Sequence, residues 1–434
     1  MSGRFGLTEA VAIALGGMIG GGIYAVLGVV VKVSGALAWL AFAIAGGVAL
    51  CAGYSYVVLN RACDDRGGSP TFIESFAGSS TLAGMAGWTL LVGYVGSMAM
   101  YAFAFGSYFV DIAGLGSVAG VPARPAVSAL VVAAFVGLNL VGVKETGLVE
   151  VVLVAAKIAV LAGFVALGLA EAVGGDGVAT GVGSVGAGPV VAAAVSFVAF
   201  QGWQLLLYDQ DAIADPVETI RRAIYVSIPV AVLVYVGVAV VTTSLVETSL
   251  VVRHPETALA AAAERFGGGT GRLVISLSAL FSTASAINAT LFSGVQFADG
   301  LVADGLMPDR FEGDGAGAVP PRIVLGLGAL TLAFTVYGSL QGITSFASLA
   351  FIVVFGAMSY LALGEAEGWS RAVPAVGLAG TALFLPLLLW HLYADQRGVF
   401  VTVLAAAALV LAVELAYFER GSVAEGIRRV EKRI

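Results

Sequence analysis

Long apolar runs alternate with short polar segments along almost the whole chain. The runs have the length that an α-helix needs to cross a membrane, about 20 residues, and they predict an all-α integral membrane protein with about twelve transmembrane helices. Their approximate bounds are Leu7–Val31, Gly35–Leu59, Leu82–Ile112, Ala126–Val143, Leu148–Ala170, Val190–Ala212, Ile224–Val246, Leu273–Ala303, Ile323–Tyr337, Ile343–Gly364, Ala372–Leu392 and Val399–Tyr417.

Composition and charge support this interpretation. Of the 434 residues, 59% are hydrophobic and 11% are charged, which excludes an ordinary soluble enzyme, since such proteins carry about 25% charged residues. With both termini in the cytoplasm, 14 of the 21 Lys and Arg residues fall on inner segments and six on outer ones, as the positive-inside rule requires. The acidic, lysine-poor composition is typical of a prokaryotic, salt-loving source, although a GC-rich genome gives the same arginine bias.

Two of the predicted helices carry polar or glycine-rich interruptions at mid-membrane depth. Residues 16–22 read Gly-Gly-Met-Ile-Gly-Gly-Gly, and residues 198–204 read Val-Ala-Phe-Gln-Gly-Trp-Gln. Small residues also form helix-packing faces, so Gly16 and Gly20 alone do not establish a break. The pair of interruptions, in spans one and six, matches the discontinuous helices of transporters built from two inverted five-helix repeats.

Broken helices expose backbone groups that suit a zwitterion. The N–H groups at the start of a half-helix attract a carboxylate, and the carbonyls at the end of a half-helix attract an ammonium group. The predicted carboxylate site is Gly20, Gly21 and Gly22. The predicted ammonium site comprises carbonyls near Met18, Val198, Ala199 and Gln201. The aromatic rings of Phe200 and Trp203 are predicted to close over the substrate, with ordinary helix packing as the alternative.

Several motifs then identify a resemblance. Residues 17–24, Gly-Met-Ile-Gly-Gly-Gly-Ile-Tyr, resemble the first-helix signature of the amino acid/polyamine/organocation (APC) superfamily, and residues 25–28 are similar to its cationic amino acid transporter branch. Four later segments, at residues 66–78, 139–145, 200–203 and 304–308, resemble other motifs of that superfamily in the same order. The resemblance extends over roughly the first 310 residues.

The resemblance implies a five-plus-five inverted repeat with broken helices one and six and two additional helices, which moves amino acids or related amines by alternating access. We expect one transmembrane domain over residues 1–418, with repeats at about 7–170 and 190–364, extra helices at about 372–417 and a cytoplasmic tail at 419–434. Two departures matter. Gln204 stands where some antiporters of the superfamily have a proton-coupling glutamate, and Gly93 stands where the cationic branch often has an acidic residue.

One charged residue lies deep within an apolar run. Lys157 is near the middle of span five, where a lysine costs roughly 2.5–3.5 kcal/mol on insertion scales. It is predicted to act as a cation surrogate that gains and loses a proton during transport, with permanent structural bonding to helix-end carbonyls as the alternative. Ser282 and Ser285, three residues apart on one face of span eight, are its predicted hydroxyl partners. In the resembled proton-coupled members, a span-five lysine takes the place of a sodium ion.

These observations predict a sodium-independent, proton-coupled amino acid transporter of the cell membrane. The alternative within transport is an amino acid or polyamine exchanger without proton coupling. The partners are an amino acid, protons and the lipid bilayer. Neither a cofactor, a metal ion nor nucleic acid is expected, since two cysteines and two histidines cannot form a zinc site. The two histidines, His254 and His391, fall near membrane boundaries and are predicted to be solvated.

Overall fold

The structure is a computed structural model that describes residues 4–65, 67–118, 120–141, 147–175, 177–184, 186–308 and 320–417. It confirms an all-α membrane protein. The helices are α1 (Leu7–Ile19), α2 (Gly22–Ser34), α3 (Ala38–Ala62), α4 (Ser69–Ala77), α5 (Ser80–Ala113), α6 (Ala123–Val141), α7 (Gly147–Gly174) and α8 (Gly188–Val195). They continue with α9 (Pro216–Leu245), α10 (Thr248–Arg253), α11 (Ala258–Ala303), α12 (Pro321–Tyr337), α13 (Leu340–Glu365), α14 (Ala372–Asp395) and α15 (Arg397–Tyr417). A two-residue hairpin, Ser117–Val118 with Val121–Pro122, precedes α6.

Each of the twelve predicted runs corresponds to helix in the structure. Within the described residues, eight helical stretches are long and apolar enough to cross a membrane. One of them, Leu7–Ala62, contains the first two runs, and there are two shorter apolar helices, Pro321–Tyr337 and Arg397–Val413. Large apolar side chains such as Leu130 and Leu167 are 70% and 61% exposed, as expected for surfaces that face lipid. The predicted tail at 419–434 lies outside the described residues.

The boundaries differ from the prediction where a helix continues into polar sequence. Helix α9 begins at Pro216 instead of Ile224, because proline fits the first turn of a helix. Helix α11 begins at Ala258 and changes direction at Gly268, whose φ of 56° is the left-handed conformation that favours glycine. The apolar runs do not include these extensions, because charged residues interrupt both of them, Arg221 and Arg222 in α9 and Glu264, Arg265 and Arg272 in α11.

The centre of the molecule is formed by α5 and α13, which pack against each other. Most residues of their apolar cores are buried, whereas α6, α7 and α14 are largely peripheral. The two halves of the first helix, α1 and α2, lie inside this assembly, where α1 packs against α7 and α9 and α2 packs against α8. The interrupted first and sixth spans are therefore enclosed by the other helices.

Candidate functional site

The first span is interrupted at the glycines predicted from the sequence. Helix α1 ends at Ile19 and α2 begins at Gly22, while Gly21 between them has φ −142° and ψ −15°. No side chain caps the start of α2, so the N–H groups of its first turn are not bonded by a capping residue. The ring of Tyr101 lies directly against Gly21, and a β-carbon at that position would overlap it. Only glycine fits at this position, because the Tyr101 ring occupies the space that a β-carbon would need.

The sixth span is interrupted more extensively. Helix α8 ends at Val195, 3₁₀ turns span Phe197–Phe200 and Trp203–Leu207, and Gln201 and Gly202 lie between them. Gly202 has φ 127°, a backbone conformation that side chains rarely adopt. The sequence prediction of a second break is therefore confirmed.

The two breaks touch through their glycines. A β-carbon on Gly17 would lie 2.8 Å from the α-carbon of Gly202, and one on Gly202 would lie 2.7 Å from the carbonyl carbon of Gly17. At Gly22 the nearest atoms belong to the Tyr235 hydroxyl and the Ala199 carbonyl, at 2.6 and 3.1 Å from the site of a β-carbon. The glycines thus allow the backbones of spans one and six to meet without intervening side chains.

Tyr235 of α9 joins the carbonyls of both broken spans. Its hydroxyl lies 2.6 Å from the carbonyl oxygen of Met18 and 3.0 Å from that of Ala199, and can donate to either. The ring packs on Phe200 at 5.2 Å between centroids and on Phe42 at 5.5 Å. The sequence does not indicate a role for Tyr235, because a single tyrosine in an apolar run is indistinguishable from a packing residue.

A second network holds the amides of the sixth span. Gln201 Nε2 donates to the Tyr101 hydroxyl at 2.8 Å, and Gln204 Nε2 donates to Gln201 Oε1 at 3.2 Å. Gln204 Oε1 in turn accepts the Gly202 N–H at 2.7 Å. The amide pair that marked the break in the sequence therefore stabilises the extended backbone around Gly202, and Tyr101 is a further participant that the sequence did not indicate.

Ser348 of α13 satisfies the backbone at the start of the sixth-span break. Its hydroxyl donates to the Val195 carbonyl at 2.6 Å and accepts the Val198 N–H at 3.0 Å. These are groups that a continuous helix would bond internally and that would otherwise be unpaired in a buried setting. No feature of the sequence distinguishes Ser348 from its serine and threonine neighbours in α13.

The two predicted aromatic residues lie in different surroundings. Phe200 packs on Tyr235, next to the carbonyls of the breaks. Trp203 is buried between two other helices, with ring centroids 5.0 Å from Tyr56 of α3 and 5.1 Å from Phe355 of α13. The contacts of Trp203 are those of interhelical packing.

Lys157 is buried beside the break in the first span. Only 4% of it is exposed. Gly16 faces Val154 and Glu150 of α7, and Lys157 lies one turn beyond Val154, as Gly20 lies one turn beyond Gly16. Because spans one and five are both odd-numbered, they run in the same direction across the membrane. Lys157 is therefore level with the glycine break.

The span-eight serines lie on α11, which packs against α7 and against the same face of α1, because Gly16 and Gly20 are one helical turn apart. A β-carbon on Gly20 would lie 2.7 Å from the β-carbon of Ala286 in α11, next to Ser285 and about one turn from Ser282. Ser282 is buried near the Tyr24 hydroxyl, which hydrogen bonds Ser278 at 2.7 Å. The structure thus brings α7 and α11 together beside the break, and the coupling roles of Lys157, Ser282 and Ser285 stay predictions.

Known proteins resemble this chain over nearly its whole length. The family model described as amino acid permease matches residues 5–418. A Methanocaldococcus jannaschii protein, MJ0609, is 31% identical over 424 residues, which cover 95% of each chain. The inner membrane transport protein YbaT of Escherichia coli is 29% identical over 406 residues, 89% of each chain. The serine/threonine exchanger SteT of Bacillus subtilis is 23% identical over 298 residues, 67% of this chain and 66% of that protein. The residues that the family model matches include both interrupted spans.

Proposed function

Because the chain belongs to the amino acid permease family of the APC superfamily, we propose that it moves an amino acid across the cell membrane together with protons and without sodium. It is a multi-pass membrane protein and an amino acid transporter of the APC type, not an enzyme. We further propose that both termini lie in the cytoplasm, because 14 of the 21 Lys and Arg residues then fall on inner segments.

The proposed ammonium site is supported by two carbonyl groups that lie close to one hydroxyl group. The Tyr235 hydroxyl lies within hydrogen-bonding distance of both the Met18 carbonyl of span one and the Ala199 carbonyl of span six. A single substrate ammonium group can therefore also reach both, and each carbonyl has a second lone pair to accept it. The neighbouring carbonyls of Val198 and Gln201 belong to the same site.

The proposed carboxylate site lies at the start of α2. Gly20 and Gly21 bring the chain to its first turn at Gly22, where no side-chain cap competes for the N–H groups. The partial positive charge of a helix N-terminus stabilises a carboxylate there. A substrate recognised through backbone atoms in this way is an α-amino acid, and Phe200 contributes the apolar wall beside its ammonium group.

Lys157 carries the proposed proton coupling. It is a buried titratable cation level with the break, and α11, which carries Ser282 and Ser285, packs against both α1 and α7. A cation held there stabilises the carbonyls at the end of α1 in the way that a metal ion would. Loss of its proton removes that stabilisation, so proton binding and the conformation of the first span are linked.

Uptake into proteoliposomes tests the proposal. A thermal-shift screen of the twenty amino acids first identifies a substrate. Uptake of that amino acid is then expected to follow an imposed pH gradient and to be unchanged when potassium replaces sodium. A strict sodium requirement would contradict the proposal, and counterflow that is insensitive to pH would identify the exchanger alternative.

Two variants of one residue separate charge from proton transfer. Lys157→Ala is expected to abolish pH-driven uptake. Lys157→Arg keeps a positive charge that is not released in proteins, so we expect it to retain substrate binding and counterflow while losing the response to the gradient. Undiminished pH-driven uptake by Lys157→Ala would exclude the coupling role.

A further inference from the structure

A second polar cluster joins three helices at the end of the molecule where α2 ends, with His391 buried, Gln341 partly buried, and Lys32 and Asp395 exposed. The Lys32 ammonium donates to Gln341 Oε1 at 2.9 Å, Gln341 Nε2 lies 3.2 Å from His391 Nε2, and His391 Nδ1 lies 2.9 Å from Asp395 Oδ2. These residues come from α2, α13 and α14. His391 is only 9% exposed, so the prediction that it is solvated is wrong. We call these four residues the Lys32–Asp395 chain.

The direction of each hydrogen bond follows from chemistry. An ammonium group can only donate, so the amide of Gln341 must present its oxygen to Lys32 and its NH₂ group to His391. His391 Nε2 therefore accepts, and the ring hydrogen is on Nδ1, where it is donated to the Asp395 carboxylate. The intact Lys32–Asp395 chain requires a neutral His391.

Protonation of His391 is incompatible with this arrangement. Both ring nitrogens would then donate, and Nε2–H would face the NH₂ group of Gln341. Rotating that amide would turn its NH₂ group toward the Lys32 ammonium instead, which places two donors together at the other end. One of the two contacts of Gln341 must therefore break when His391 gains a proton.

The surrounding charges do not relieve this conflict. The Lys32–Asp395 chain contains one carboxylate, Asp395, and α15 adds another positive charge at this end, Arg397. Among the other described segments packed on α14, α8 has no charged residue, and the charges of α3, of α13 and of the turn before α14, namely Arg61, Glu365 and Arg371, lie at the opposite end. Among the described residues, a protonated His391 would thus have Asp395 as its one nearby counter-charge.

We propose that His391 is a pH sensor that holds the outer half of the first span at neutral pH and releases it in acid. Lys32 lies in the last turn of α2, and Gly22, in its first turn, borders the proposed substrate site. Helix α2 is a rigid element between them, so a change in its attachment to α13 alters the substrate site. With the termini in the cytoplasm, the sensor faces the exterior. It does not rest on proton binding by Lys157.

Nitrogen NMR of the two histidines tests the protonation state directly. In ¹⁵N-histidine-labelled protein, a His254→Gln variant leaves a single imidazole signal set. At neutral pH we expect the tautomer with hydrogen on Nδ1 and a bare Nε2, and on acidification both nitrogens become protonated. A tautomer with hydrogen on Nε2 at neutral pH would overturn the proposal, as would a ring that stays doubly protonated from about pH 5 to 8.

Counterflow with equal pH on both sides tests the functional consequence without a proton gradient. We expect the wild-type rate or substrate affinity to change about fivefold between about pH 7.5 and pH 5.5, the lower end of typical coupling between sites. His391→Gln keeps one acceptor and one donor group but does not titrate, so the change should disappear. His254→Gln, at an exposed histidine, is the matched control and should behave as wild type.

Gln341→Glu provides an independent variant with the opposite expectation. The new carboxylate accepts from both Lys32 and a protonated His391, so acid should strengthen the connection and the pH response should change sign. A wild-type pH response in either His391→Gln or Gln341→Glu would refute the sensor. Failure of Lys157 to couple protons would leave the NMR result and both of these variants unaffected, so the two proposals are separable.

Discussion

At the scale of single residues, two hydroxyl groups bond the backbone atoms that the breaks expose. The Tyr235 hydroxyl reaches carbonyls of two different spans, and the Ser348 hydroxyl bonds both a carbonyl and an N–H group of the sixth span. In a buried apolar setting an unpaired backbone group is costly. These hydroxyls are therefore what allows the helices to remain interrupted.

We expect Tyr235→Phe to lower the free energy of unfolding by about 1–3 kcal/mol, since the ring contacts remain but the bonds to Met18 and Ala199 are lost. Tyr225→Phe, a half-buried tyrosine of the same helix, is the matched control and should change stability by less than about 0.5 kcal/mol. Unfolding in a denaturing detergent series measures both. Equal stability of the two variants would show that the hydroxyl is dispensable.

At the scale of elements, the sixth span is a short helix followed by two 3₁₀ turns, held from outside by α13. Within the span, Gln204 accepts the N–H of Gly202, and Ser348 of α13 donates to the Val195 carbonyl at the end of α8. Because α13 also packs against the central α5, the break is attached to the core of the molecule. The same contacts therefore stabilise the interruption and hold the sixth span in position against α13.

Ser348→Ala should destabilise the fold by about 1–3 kcal/mol and reduce transport, because the Val195 carbonyl and Val198 N–H lose their shared partner. Ser359→Ala on the same helix removes a hydroxyl that bonds the Phe355 carbonyl of its own helix and accepts only a long 3.4 Å bond from Ser55 of α3, so it should have a smaller effect. Thermal unfolding and initial uptake rates distinguish the two. A larger loss in Ser359→Ala would contradict the role of Ser348.

At the scale of the whole molecule, the glycine-lined meeting point of spans one and six is enclosed by the other helices. The Lys32–Asp395 chain closes one end, and at the other end Phe5 pairs with Ile213 through backbone bonds to Ala212 and Ala214 of 2.7 and 2.9 Å. These two connections hold opposite halves of the first span. In the proposed alternating-access cycle these two connections open in turn, and the orientation of the chain decides which of them faces the cytoplasm.

The orientation is testable with a native cysteine. Cys63 follows α3 in a segment predicted to be cytoplasmic, while Cys51 lies within that helix, and both are free thiols. In a Cys51→Ala variant, we expect a membrane-impermeant maleimide to label inside-out vesicles only. A further Cys63→Ser change should abolish the signal. Labelling of right-side-out vesicles would place the termini outside.

The positions of the breaks could be predicted because their signals are local. Glycine clusters and paired amides are rare in apolar runs, and the helices do end at Ile19 and Val195 as those signals indicate. Lys157 was conspicuous for the same reason, a charge where charge is expensive. The partners of these groups were not predictable. Tyr235, Tyr101 and Ser348 are ordinary residues of membrane helices, and only helix packing brings their hydroxyl groups to a break.

The sequence by itself determined the membrane class, the run of helices and the two interruptions, because hydropathy and glycine content act over a few neighbouring residues. Only the tertiary structure decided that Gly17 meets Gly202, that one hydroxyl reaches two broken spans and that His391 is buried between Gln341 and Asp395. Such contacts join residues up to hundreds of positions apart. Their existence depends on how helices pack, which no local pattern encodes.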